Sequence, residues 1–449
     1  MSIVIELPNS VRRTIESLEN AGFEAYVVGG CVRDSIMGKV PNDWDVTTNA
    51  EPDQVKTCTG QRTIDTGIKH GTVSIIYRDM HVEVTSYRID GTYSDNRRPD
   101  SIAFTSDLRE DLKRRDFTVN AMAYNPGVGL VDCFGGLKDI ENAVIKCVGD
   151  PSDRFAEDAL RIMRAYRFAS TLNFKIDDDT LKAITEKMHL LARISVERIT
   201  SEFNKILTSK EAGKYLKAML EMGAFRYVIS EFEDTRGFDQ HNPGHDKTLD
   251  DHILCAVDCV PNDLILRLTM LLHDIAKPTC FVINEKGIGS SPGHAKRSAE
   301  MADDILRRLK YDKHTSSAVR ELVLYHATHI TPDAMGVKGI LRHVGEERFR
   351  QLLAVQRADI MAQNPLYINR LDELDRIESV FLRVLEEGQC FCLKDLKING
   401  SDLKDMGFEG RQIGKSLGLI LDMVIEGSVD NKREMLMKTA GRILEEGLV

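Results

Sequence analysis

The sequence predicts an α+β chain, a mixed-sheet head followed by an all-helical remainder. Up to about residue 140, short runs rich in Val, Ile and Thr alternate with turns. Beyond about residue 150 those runs thin out and apolar residues take up helical spacing. At 449 residues the chain can bury several cores without disulfide or metal staples. Four segments are expected: a head over 1–145, a helical neck over 146–228, a helical body over 229–375 and a helical tail over 376–449.

In the head, Ala25–Val28 reads as a strand that ends in Gly29-Gly30. Trp44–Thr48, Thr72–Tyr77 and His81–Tyr87 are further strands, with Gly67 and Gly71 punctuating between them. The neck opens at Pro151-Ser152-Asp153, a helix start. Phe155, Ala159, Ile162, Met163, Tyr166 and Ala169 then form one apolar stripe. Residues 239–247, DQHNPGHDK, read as a polar linker, and the helical body runs on to about residue 380. The tail carries glycine turns at Gly400, Gly407, Gly410 and Gly414.

Composition narrows the class of protein. Hydrophobic residues make up 42% and charged residues 29%, the balance of a globular chain and not of a disordered one. No apolar run reaches the roughly 18 residues of a membrane helix. The start, MSIVIELPNS, lacks the basic and apolar regions of an export signal. Nine scattered cysteines form no paired CxxC pattern, which suits a reducing, cytoplasmic setting. The net charge of −10 excludes a wholly basic nucleic-acid coat, but leaves room for a local phosphate-binding patch.

Asp43 and Asp45 flank Trp44 at strand spacing, so both carboxylates share one face. Side by side they repel unless a cation lies between them. Mg²⁺ is the natural choice, because it accepts one or two carboxylates together with substrate phosphates. The Gly29-Gly30 turn lets backbone N–H groups approach a phosphate, and Arg33 adds a guanidinium fork. Each feature alone is common; their order and closeness are not.

This arrangement resembles the signature of the class II tRNA nucleotidyltransferases, the CCA-adding enzymes, and their poly(A) polymerase relatives. The resemblance implies a polymerase-β-like nucleotidyltransferase head, catalytic Mg²⁺ on Asp43 and Asp45, and nucleotide contacts from Gly30 and Arg33. It also implies a third acid near the metals, for which Glu83 and Asp116 both qualify. Arg114-Arg115-Asp116-Phe117-Thr118-Val119-Asn120-Ala121 looks like the family's RRDFTxNA motif. Arg115 would then contact phosphate or sugar, and Asn120 would hold backbone groups. The stretch Tyr87–Pro99 is similar to the loop that helps CCA-adding members switch from C to A addition.

Glu157-Asp158-Ala-Leu-Arg161-Ile-Met-Arg164 matches the family's nucleotide-selecting EDxxRxxR motif. A chemical reading points the same way. Cytosine and adenine each offer an amine donor beside a ring-nitrogen acceptor. One carboxylate and one guanidinium satisfy both bases, while uracil and guanine present the opposite pattern. Mismatched buried polar groups support large discrimination. The resemblance implies Asp158 and Arg161 at the base, with Arg164 and Arg167 nearer sugar, phosphates or the helix scaffold. Three-residue steps place all four on one polar helix face.

In the body, His252, His273-Asp274, His294, His326 and Asp359 fall on successive helical segments. Such sets suit divalent metals. The pattern resembles an HD phosphohydrolase domain, which implies His252, His273, Asp274 and Asp359 as ligands of a divalent transition metal. His294 and His326 are second-site or phosphate-binding candidates. The tail's glycine turns would grip tRNA.

The leading expectation is addition of C, C and A to tRNA from CTP and ATP, with no membrane and no obligate protein partner. A poly(A) polymerase, a partial CC- or A-adding enzyme and an RNA-end phosphohydrolase are the alternatives. An idle RNA-binding protein fits poorly with both acids in place.

Overall fold

The computed structural model describes residues 3–91 and 101–448. They divide into two compact units, one running to Glu211 and including Ala218–Val228, the other comprising Ala212–Lys217 and Ile229 onward. The head segment and most of the neck segment fall in the first unit, while Ala212–Lys217 of the neck goes with the body and tail segments in the second. Among the described residues, no helix is long and apolar enough to cross a membrane.

The first unit is built on β1 (Ala25–Val28), β2 (Asp45–Thr48), β3 (Thr63–Gly67), β4 (Thr72–Ile76), β5 (His81–Ser86), β6 (Arg88–Asp90), β7 (Ile102–Phe104), β8 (Met122–Asn125) and β9 (Gly129–Asp132). Seven of them form a mixed sheet in the order β3-β4-β5-β2-β1-β8-β9. β2 and β5 run parallel, which sets Asp45 opposite Glu83. Val27, Val46, Val82 and Val84 pack into one core with Leu18 and Trp44. Trp44 is buried while Asp43 and Asp45 on either side stay exposed, although the strand expected from Trp44 begins only at Asp45, with Asp43 and Trp44 in the segment leading into it. β6 and β7 pair as a separate ladder. The loop expected over Tyr87–Pro99 falls largely on 92–100, outside the described residues.

The stripe expected near residue 157 is buried, from Phe155 and Ile162 to Tyr166 and Ala169. The single helix expected there is, however, two: Pro151–Glu157 and Leu160–Leu172. Asp158 interrupts them with extended backbone, φ −134° and ψ 102°. Its carboxylate accepts the Leu160 N–H at 3.1 Å, a local bond that competes with helix continuation. Asp158 therefore sits at a bend, and not on a helix face shared with Arg161, Arg164 and Arg167.

In the second unit, the helices Leu249–Cys259, Leu264–Leu272, His294–Arg308, Lys313–Tyr325 and Ala334–Ala362 carry or end at the predicted histidines and aspartates. The tail has its own core around Leu403, Phe408, Ile420 and Leu436. Its turns act as caps: the Asn399 side chain accepts from Ser401 N–H at 2.8 Å, and Asp402 returns a bond to Asn399 N–H at 2.8 Å.

Candidate active sites

The first site lies in the head unit. A cavity of about 410 Å³ is lined by Gly29, Gly30, Arg33, Asp45, Arg115, Asp116, Asp158, Arg161, Arg164 and Arg198, among others. Gly29 adopts φ +85° and opens the helix Gly30–Ile36. A Cβ there would meet Arg115 Nη1 at 3.3 Å, so glycine keeps both the backbone turn and the arginine in place. Arg33 is buried and donates to Asn120 Oδ1 at 2.5 Å. Asn120 in turn donates to Asp116 Oδ1 at 3.3 Å. Asn120 therefore organises side chains, where backbone groups were expected.

Glu83 and Asp116, the two candidates for the third acid, occupy different settings. Glu83 stands exposed across from Asp45 on the neighbouring strand. Loss of water on the side facing the protein lifts the Asp45 carboxyl to about 6 even though the residue keeps solvent access, with Glu83 and Asp43 adding to the rise and Arg115 opposing it. These acids offer the oxygen donors that a hard divalent cation takes, although among the described residues Asp43, Asp45 and Glu83 do not form a set of ligand atoms within 4.8 Å of one another. Asp116 is instead buried and ion-paired to Arg164, and it also accepts the Phe117 N–H at 2.8 Å. Burial pushes the Asp116 carboxyl up, but Arg164 outweighs it and holds the group near 2.

Arg164→Ala should consequently destabilise the protein by about 2–4 kcal/mol, because it leaves a buried carboxylate unpaired. Urea denaturation measures this. Adding Asp116→Asn in the same chain should recover part of the loss, and strictly additive effects would contradict the coupling.

Arg161 is buried and tied down, with Nη1 donating to Glu157 at 2.6 Å and to Arg154 O at 3.0 Å, and Nη2 to Arg114 O at 3.0 Å. Arg167 pairs with Glu202 at 3.0 Å and lies 3.9 Å over the Phe168 ring, a scaffold position. Arg198, which sequence spacing did not single out, reaches Asp158 Oδ2 at 3.1 Å. It lies 40 residues away on another helix, and no local pattern marks it.

The second site lies in the other unit. His252, His273, Asp274 and Asp359 bring one ligand atom each within 4.8 Å of one another, and Asp274, His294 and His326 form a second such group. Asp274 belongs to both. Each imidazole faces a backbone carbonyl through Nδ1: His252 with Ala362 O, His273 with Met270 O, His294 with Ser291 O and His326 with Val323 O. A carbonyl only accepts, so each Nδ1 carries the proton and each Nε2 turns inward.

His252 Nε2 and His273 Nε2 are 3.4 Å apart, a distance that two bare lone pairs do not favour. Burial drives the His273 imidazole down, yet Asp274 and Asp359 outweigh it and raise it to about 10. Asp274 Oδ1 has no hydrogen-bond partner, although His294 and His326 Nε2 lie 3.3 and 3.5 Å away. Converging donors around an orphaned oxygen fit a bound cation better than a hydrogen-bond network. A cavity of about 270 Å³ opens onto this set, and Lys277 and Arg370 also line it. His245, placed in a linker by the sequence reading, packs its ring 5.0 Å from that of His252.

The sheet, the carboxylate pair and the arginine-lined cavity define a nucleotidyltransferase with a polymerase-type head. The Poly A polymerase head domain model matches residues 25–146, and a tRNA nucleotidyltransferase domain 2 model matches 294–440. The chain is 32% identical over 449 residues to a CCA-adding enzyme of Enterococcus faecalis, covering 98% of each. A CCA-adding enzyme of Levilactobacillus brevis is 48% identical over 216 residues, 48% of this chain and 54% of that relative. The crystal structure of the Bacillus stearothermophilus CCA-adding enzyme in complex with CTP superimposes with TM-score 0.76 at 28% identity, over 99% of this chain and 100% of that one. The Thermotoga maritima CCA-adding enzyme complexed with tRNA shares the fold, at TM-score 0.63 and 19% identity, over 97% of this chain and 95% of that one. The chain belongs to the CCA-adding enzyme family.

Proposed function

We propose that this protein adds C, C and A to the 3′ end of tRNA from CTP and ATP, without a nucleic-acid template, in the cytoplasm. The carrying observation is a single cavity that joins the acid-bearing β2 strand to Asp158, Arg161 and Arg164. Asp43, Asp45 and Glu83 would hold Mg²⁺, and Asp116 is left to scaffold the arginines. Bound there, the metal supplies neutralisation of the departing pyrophosphate and activation of the attacking hydroxyl.

The remaining work falls to the chain's own side chains. Gly29 and Gly30 admit the triphosphate against the backbone, and Arg33 and Arg115 offset its charge. Asp158 accepts the base amine and Arg161 exchanges one of its bonds to Glu157 or the backbone carbonyls for the ring nitrogen, so C and A enter while U and G are refused. The architecture and the full-length relative support complete CCA addition over a poly(A) polymerase or a partial adding enzyme.

The test is incubation with tRNA lacking its 3′ end plus labelled CTP and ATP, singly and together. Extension by C, C and A that then stops supports the proposal. Long A tails or C alone would overturn it.

A second activity rests on the imidazole geometry: an HD-type phosphohydrolase acting on RNA ends with a divalent transition metal. His252, His273, Asp274 and Asp359 would form one metal position, with His294 and His326 completing a second around Asp274.

A further inference from the structure

We propose that Arg198 is the positioning residue that sets base selection, by fixing the carboxylate that reads the incoming nucleotide. The inference rests on the proposed role of Asp158 and extends it to a residue outside the selecting motif.

Asp158 lies at a bend between two helices, where no continuous helical backbone fixes its direction. Two bonds hold its carboxylate. Leu160 N–H occupies Oδ1 at 3.1 Å, and Arg198 Nη2 occupies Oδ2 at 3.1 Å. The first comes from its own turn and moves with it. The second comes from the helix Val196–Leu207 and is the external reference. That helix is itself pinned to the selecting helix through Arg167 and Glu202 at 3.0 Å. Each oxygen retains a lone pair for a base amine, in a direction set by the bonds already made.

The guanidinium is rigid and planar, so the single N–H it places on Asp158 Oδ2 also fixes where its other nitrogens stand, which a flexible ammonium would not do. Arg198 Nη1 is buried without a hydrogen-bond partner, and Arg198 lines the same cavity. A buried donor kept unpaired is costly, and an acceptor on an incoming nucleotide would relieve it. Arg161 does not duplicate this role, because its Nη atoms are bonded to Glu157 and to two backbone carbonyls.

Three variants of the full chain test the inference: Arg198→Gln, Arg198→Lys and Asp158→Asn. The readouts are kcat and KM for CTP, ATP, UTP and GTP on tRNA lacking its 3′ end, with a thermal melt of each variant. Arg198→Gln should lower the CTP-over-UTP preference roughly ten- to hundredfold, mainly by admitting UTP. The kcat for CTP should fall only a few-fold. Arg198→Lys keeps the charge without the planar guanidinium, so it should fold and still lose part of the preference. Unchanged preference in Arg198→Lys and Arg198→Gln, with activity reduced equally for all four nucleotides, would overturn the inference and leave a packing role. Should Arg198→Gln fail to fold, Arg198→Lys decides alone. If Asp158→Asn retains full selectivity, the underlying reading of Asp158 fails. If it loses selectivity while the Arg198 variants keep it, the present inference alone fails.

Discussion

Asp45→Asn is expected to reduce nucleotide addition by about 10³-fold or more while raising the melting temperature of the metal-free protein. The loss follows from removing a charged group at the reacting phosphate, where even one neutral donor contributes 10²–10³-fold. The gain in stability follows from linkage. In the fold the carboxyl titrates near 6, above the roughly 3.9 of an unfolded aspartate. The folded state therefore binds the proton more tightly. Ionised Asp45 destabilises the metal-free fold above about pH 6, and that penalty is relieved as pH falls from 6 towards 4. Because the side chain is exposed, screening keeps the effect below about 1 kcal/mol.

Activity should move the other way with pH. Protonation of Asp45 removes the anion that would hold the cation, so kcat/KM should rise with pH through about 6 at fixed Mg²⁺. Excess Mg²⁺ should shift that limb to lower pH. A flat profile, or a less stable metal-free Asp45→Asn protein, would contradict the electrostatic account.

The legible and illegible parts of this chain divide by the range of the interaction. Asp43, Trp44 and Asp45 could be read as exposed, buried and exposed because the pattern is local, although the strand itself starts only at Asp45. The same holds for the stripe from Phe155 to Ala169. The choice between Glu83 and Asp116 was not local. It turns on the parallel register of β2 with β5 and on a salt bridge that spans 48 residues, from Asp116 to Arg164.

Asp158 misled for a different reason. Apolar periodicity continues across it, while its own side chain caps the following turn and breaks the helix. Periodicity reports which side chains face the core and is blind to that competition. His245 was hidden in a Pro- and Gly-containing stretch whose composition reads as linker, although its ring packs against His252. Histidines scattered from 252 to 326 could be listed from sequence, but their convergence depends on four helices bringing them together with Asp274, and on a fifth that adds Asp359.

That convergence makes Asp274→Asn the decisive substitution in the second unit. Asp274 belongs to both candidate ligand groups, so one replacement should empty both proposed metal positions. A first ligand is worth more than the 10–100-fold typical of the groups that orient ligands, so affinity for a divalent transition metal should fall by about 100-fold or more. Isothermal titration and metal analysis of the full chain measure this directly. The change costs stability, because Lys277 loses a buried partner 2.7 Å away, but Lys277 keeps its bond to Gln240 Oε1 at 2.9 Å and the fold should survive. Without that anion, the support that raises the His273 imidazole weakens, and the ring can be buried neutral. Phosphatase activity towards RNA ends should vanish, whereas addition of C, C and A should persist, because the head acids are untouched. Unchanged metal affinity would remove the second site from consideration. Loss of both activities together would show that the two units do not work independently.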